Sequence, residues 1–103
     1  MGRDPQLTSQ TVNVLMAFTN AYGSELSGAD IGRLTKLPSG SLYPILLRLE
    51  KAGWLESHWE LGDPSVLGRP RRRFYSVTAL GAAKYRAYAT PIAASLNASK
   101  ALA

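Results

Sequence analysis

Apolar residues recur along this chain with two periods, one helical and one extended, and the change between them divides it. Leu42, Ile45, Leu46 and Leu49 fall at i, i+3, i+4 and i+7, which predicts a helix with that face buried. Its other face carries Ser41, Tyr43, Arg48 and Lys51. Ser39 or Ser41 can cap its start, and Gly53 suits the left-handed position that ends many helices. Pro44 is harmless at the third helical position if Ser41 caps; if Ser39 caps, it bends the start of the helix. Upstream, Val12, Leu15, Met16 and Thr19 repeat the helical spacing. They predict a core helix over roughly 9–22, with Thr8 or Ser9 as cap and Gly23 as stop. Between the two, Ser27-Gly28-Ala29-Asp30 reads as a capping box opening a short helix, with Ile31 and Leu34 facing inward. Lys36-Leu37-Pro38 stops it. Two helices joined by so short a turn form a helix-turn-helix, whose second member is the one that enters a DNA major groove.

After Gly53 the period becomes two. Trp54 to Glu60 alternates, and Arg72-Arg73-Phe74-Tyr75-Ser76-Val77 does the same. The stretch from Leu61 to Arg71 is full of turn residues, so the two strands make a β-hairpin with a long, arginine-loaded tip. Helix, turn, helix and hairpin is the winged-helix order. Thr78 then caps a last helical segment with Tyr85, Tyr88 and Ile92 on one face, interrupted at Thr90-Pro91. Its alanine-rich continuation would be marginal alone, so it is expected to pack on a second copy of the chain. The fold class is mainly α with a β-hairpin (α+β). Residues 1–78 form a winged helix-turn-helix and 79–103 a C-terminal dimerisation helix, kinked or broken near Pro91, within one single domain.

Composition sharpens this picture. In 103 residues, 46% of them hydrophobic, 12 Lys+Arg stand against 7 Asp+Glu, and Arg69, Arg71, Arg72 and Arg73 concentrate the excess in five positions. Concentrated positive charge points to a polyanion, whereas diffuse charge serves mainly solubility. The absence of cysteine excludes disulfides, thiolate metal sites and a cysteine nucleophile. His58, the single histidine, reads as a half-exposed strand residue, and no phosphate loop or nucleophile motif is present, so neither enzyme, metal site nor cofactor is expected. No apolar run reaches the ~20 residues needed to span a bilayer, and Met1 to Pro5 lacks a signal-peptide core; a soluble, cytoplasmic protein is expected.

Several stretches together resemble the PadR family of bacterial and archaeal transcriptional regulators. They are Gly28 to Ile31, Leu37 to Leu46, Leu49 to Leu55, and Gly68 to Gly81, and the likeness extends over roughly residues 10–90. The Tyr43-Pro44 pair followed by Gly68-Arg69-Pro70-Arg71 and an aromatic strand is its most specific part. The resemblance implies a homodimeric winged-helix repressor on the prokaryotic nucleoid, with the helix from Ser39 in the major groove and the wing on flanking phosphates or the minor groove. It also implies a C-terminal dimerisation helix and response to a small aromatic effector. Two departures stand out: the C-terminal region is short, as in the smaller branch of the family, and the wing carries an apolar Val66-Leu67 pair.

The candidate DNA contacts are therefore Lys36, Ser39, Gly40, Ser41, Tyr43, Pro44, Arg48, Arg69, Arg71, Arg72 and Arg73. The arginines suit phosphate neutralisation, with Arg69 placed best for a minor groove. On a strand Arg71 and Arg73 would point away from Arg72. Ser39, Ser41 and Tyr43 sit where a helix N-terminus meets phosphates or base edges, although capping would occupy the serines and Tyr43 could pack under the wing. Trp54 and Trp59 read most simply as hairpin core; alternatively one of them, with Tyr85 or Tyr88, walls an aromatic ligand pocket at the dimer interface, to which Tyr85, Tyr88, Ile92 and Leu96 are assigned. Two rival functions remain: an architectural or recombination-directing DNA binder without a ligand, and a winged-helix protein-interaction module using Val66-Leu67 and the C-terminal helix as its contact surface.

Overall fold

The computed structural model describes residues 4–20 and 25–89. Its elements run α1 (Ser9–Asn20), β1 (Leu26–Ser27), α2 (Gly28–Thr35), α3 (Ser39–Lys51), β2 (Leu55–Trp59), α4 (Pro64–Leu67) and β3 (Arg73–Val77). A final helix, α5, is described over residues 79–89. The three strands form an antiparallel sheet in the order β1-β3-β2. The hairpin is therefore as expected, while the pairing of Leu26 and Ser27 with Tyr75 and Phe74, and the short α4 within the wing, are additions.

Local chemistry explains most boundaries. Thr8 Oγ1 accepts from the Thr11 amide and caps α1. Ser27 caps α2 in a complete capping box: its hydroxyl accepts from the Asp30 amide, and the Asp30 carboxylate accepts from the Ser27 amide. That backbone bond holds the Asp30 carboxyl below its ordinary range. Lys36, at φ 59°, turns the chain out of α2, and three residues later α3 begins. Gly53, at φ 81°, ends α3 as its position predicts. Thr78 caps α5: its hydroxyl accepts from the Gly81 amide and donates to the Gly53 carbonyl.

The core gathers Leu42, Ile45, Leu46 and Leu49 of α3 with Val14, Leu15, Phe18, Ile31, Trp54, Leu55 and Tyr75. The buried face of α3 is thus the one the sequence predicts. The face of α1 is not. Thr11, Val14, Leu15 and Phe18 are buried, while Met16 is exposed and Val12 only half-buried. Both stripes have i, i+3, i+4, i+7 spacing and differ by one residue, about 100° of rotation. Phe18 brings the larger apolar area, and Thr8 Oγ1 gives the buried Thr11 hydroxyl a partner at 3.0 Å. Leu34 is likewise 56% exposed, because Gly28, Ile31 and Thr35 form the inner stripe of α2. The Thr35 hydroxyl is satisfied within the helix, donating to the Ile31 carbonyl at 2.7 Å.

In α3, Pro38 occupies the capping position and no side chain caps the helix, so neither Ser39 nor Ser41 does. Pro44 therefore lies six residues into α3, where its ring withholds a donor from the carbonyl of Gly40, an exposed position open to water. Ile92, Leu96 and the expected break at Pro91 lie outside the described residues, as does Gly23.

Candidate nucleic-acid interface

The start of α3 projects from the molecule. Lys36, Ser39 and Gly40 are exposed, Ser41 is half-buried, and Tyr43, Pro44, Leu47 and Arg48 continue the outward face. No side chain caps α3, so the amides of Ser39 and Gly40 have no capping acceptor, while the Ser41 amide donates to the Pro38 carbonyl at 3.0 Å. Tyr43, 48% exposed, lays its ring over the start of α2. A Cβ built on Gly28 would come within 2.6 Å of the Tyr43 hydroxyl, so the absence of a side chain at Gly28 makes room for this pose.

Beside this face stands the wing. The Glu60 amide donates to the Arg72 carbonyl at 2.7 Å, closing the hairpin beyond the last paired residues. The loop above is shaped by Asp63, whose carboxylate accepts from the Ser65 amide and hydroxyl, and by Gly62 and Gly68 at φ 118° and 73°. Those bonds hold the Asp63 carboxyl below its ordinary range, the Ser65 hydroxyl contributing most. Of the apolar Val66-Leu67 pair, Val66 is exposed, whereas Leu67 folds back over Gly62.

Between α3, the start of α2 and the wing lies an open cleft of about 730 Å³. Arg69, Arg71, Arg72 and Arg73 all line it, together with Tyr43, Leu47, Glu50 and Trp59. Alternation along a strand does not separate the arginines, because β3 begins only at Arg73. They are not equivalent, however. Arg69 makes a two-pronged ion pair with Glu60, its two terminal nitrogens 2.6 and 2.9 Å from the carboxylate oxygens. That bond, helped by the Arg72 amide, pulls the Glu60 carboxyl down to about 2. Arg69, read from the sequence as best placed for a minor groove, has its guanidinium folded back onto Glu60.

Arg73 is also engaged. Its Nε donates to Ser57 Oγ at 2.9 Å and its Nη2 to Glu50 at 3.3 Å, while Ser57 donates to the same Glu50 oxygen at 2.6 Å. This network ties α3 to both wing strands, and Arg73 additionally lies 5.2 Å from the centre of the Trp59 ring. Arg71 donates through Nε to the Gly62 carbonyl at 2.6 Å. The Arg72 side chain is exposed and makes no hydrogen bond among the described residues.

The two tryptophans separate. Trp54 is 1% exposed in the core, whereas Trp59 is 56% exposed on the wing. Trp54 is sealed by the close approach of α5 to its backbone at Gly81. Tyr85 packs on the core of its own chain, and Tyr88, its ring 6.5 Å from that of Tyr85, lines a groove with Met16 of α1. His58 pairs with Glu25 at 3.2 Å and tilts over Phe74. Sequence reasoning missed Glu50, Ser57 and Glu60. The last carried a readable signal, being the one acidic residue in the strand end that enters an arginine-loaded loop.

No helix among the described residues is long and apolar enough to cross a membrane. None of the curated proteins matches the chain significantly. Solved structures share its fold. A PadR-like transcription factor from Bacteroides fragilis superposes with a TM-score of 0.72 at 18% identity, covering 92% of this chain and 90% of that one. Bacillus subtilis PadR in complex with operator DNA gives 0.64 at 18% identity, covering 79% of this chain and 47% of that protein, about half its length. Bordetella bronchiseptica BpsR, whose structure is described as a mechanism for regulation of DNA binding by 6-hydroxynicotinic acid, gives 0.67 at 17% identity over 95% and 67% of the two chains. A family model, the transcriptional regulator PadR-like family, matches residues 13–87. With helix-turn-helix, wing and the greater part of the sequence all within that match, this chain belongs to the PadR-like family of transcriptional regulators.

Proposed function

We propose that this protein is a sequence-specific DNA-binding repressor that acts as a homodimer on an inverted-repeat operator, in the cytoplasm and on the nucleoid. The observation that carries the reading is the uncapped, exposed start of α3 standing beside an arginine-lined wing. The amides of Ser39 and Gly40 are placed to receive a phosphate, with Lys36 nearby. Ser41, Tyr43 and Arg48 follow on the outward face and would meet base edges or backbone, while Arg71 and Arg72 neutralise flanking phosphates. Residues 79–103, through Tyr85, Tyr88, Ile92 and Leu96, would join two protomers so that two α3 helices lie about 34 Å apart, one turn of the duplex.

By analogy with BpsR, release from the operator by a small aromatic molecule is the mode of regulation we infer; such a ligand would favour a dimer with different helix spacing. Fluorescence anisotropy with duplexes from the region upstream of the protein's own gene, against scrambled duplexes at two salt concentrations, tests the reading. Native binding at least ~10³ tighter than scrambled is the expected result. Equal, salt-sensitive binding to every duplex would favour an architectural DNA binder. No binding would favour a protein-interaction module, for which the exposed wing residues Leu61 and Val66 provide an apolar surface.

A further inference from the structure

The wing concentrates four arginines in five positions, yet two of them are already neutralised within the chain. Glu60 holds Arg69 and Glu50 holds Arg73. Glu60 does so with the geometry a phosphate would offer: two oxygens receiving two guanidinium nitrogens side by side. The carboxylate is fixed in place before any ligand arrives. Its Oε1 also accepts from the Arg72 amide at 3.2 Å, and its side chain is only 18% exposed.

We propose that Glu60 sets the strength of the wing's contact with DNA by acting as an internal stand-in for a phosphate, holding Arg69 away from the duplex and leaving Arg71 and Arg72 as the wing's phosphate contacts. The inference rests on reading the wing as a DNA-binding element. Exchange of Glu60 for a real phosphate is disfavoured, because releasing Arg69 would turn an unpaired carboxylate towards a polyanion. Glu60 stays ionised at any pH used for DNA binding, since Arg69 draws its pKa down to about 2. The clamp is therefore constitutive, and Glu60 is a positioning residue that touches no DNA itself.

The experiment compares wild type, Glu60→Gln, Glu60→Gln/Arg69→Ala and the charge swap Glu60→Arg/Arg69→Glu in anisotropy titrations over a series of salt concentrations, on native and scrambled duplexes. Glutamine keeps the shape and an acceptor for the Arg72 amide but frees Arg69. One additional neutralised phosphate per wing steepens the slope of log K against log salt by ~0.9, which at ~0.1 M salt is about 8-fold tighter binding per wing relative to ~1 M. Because a phosphate contact carries no sequence information, native and scrambled duplexes gain in parallel. The double variant, which lacks both partners, returns to the wild-type slope, and the swap, which restores the pair, does the same. A Glu60→Gln protein with unchanged or weaker binding overturns the role of Glu60, as does a double variant that binds as tightly as Glu60→Gln. Absence of duplex binding by the wild type would instead overturn the DNA-binding reading itself.

Discussion

Gly81 stands where α5 lands on the turn between α3 and β2, and replacing it with alanine separates two opposing effects. A Cβ built there lies 2.9 Å from the carbonyl carbon of Trp54 and 3.0 Å from its Cα, and closer still to the carbonyl oxygen. These are backbone atoms, so no rotamer change relieves the contact. The carbonyl oxygen cannot retreat freely, since it accepts from the Thr78 amide at 3.0 Å. Moving α5 outward loosens the bonds that dock it, at about 1 kcal/mol each, on top of an overpacking cost of about 1–3 kcal/mol. Alanine returns only ~0.5–1 kcal/mol of helix preference. Net destabilisation of about 2–3 kcal/mol is expected. In urea, with m of about 2 kcal/mol/M, the midpoint falls by about 1–1.5 M. Unfolding followed by tryptophan fluorescence measures it, with both proteins at one fixed concentration so that any self-association contributes equally. Gly40→Ala is the control. It is helical and exposed, with nothing within 4 Å of the added methyl, and should gain ~0.5 kcal/mol or more. A Gly81→Ala protein with a midpoint at or above wild type would refute the argument that the α5 contact is a backbone obstruction.

Arg72→Ala, which removes an exposed arginine without a hydrogen-bonded side chain, should flatten the salt dependence of duplex binding by ~0.9 per protomer on native and scrambled sequences alike; a discriminating effect would mean base contact instead. Gly28→Ala meets only the far end of the Tyr43 side chain, so the thermal midpoint should move by a few degrees at most while operator affinity falls as Tyr43 is displaced; unchanged affinity would take Tyr43 out of the interface. Glu60 has a folded-state pKa of about 2 against an ordinary 4.5, so its contribution to stability is fully present above pH 4.5 and is lost as the pH falls towards 2. The difference in urea midpoint between wild type and Glu60→Gln should therefore shrink across that window, and a constant difference would contradict the Arg69 pairing.

The features legible in the sequence are those completed within a few residues. The capping box at Ser27, the cap at Thr78 and the left-handed turn at Gly53 each depend on bonds or dihedral preferences that a short stretch carries with it. The buried face of α3 was legible because four large aliphatic residues lie on one stripe and the opposite side is polar. In α1 two stripes have the same spacing, so only packing against the sheet and α2 chooses between them. Leu26 and Ser27 are too few to show a period, and they become a strand because β3 offers an open edge some fifty residues away.

The same division runs through the candidate interface. From its sequence alone, this protein has a helix-turn-helix, a basic wing and the residue types suited to phosphate and base edges. Tertiary structure decides which of those residues are available. Arg69 and Arg73 look identical to Arg71 and Arg72 in a one-dimensional reading, and only the return of the hairpin past Glu60, and of α3 past Ser57, supplies the carboxylates that hold them. The reason is physical: charge is a property of a residue, but whether that charge meets solvent or a partner depends on what the fold brings within about 3 Å of it.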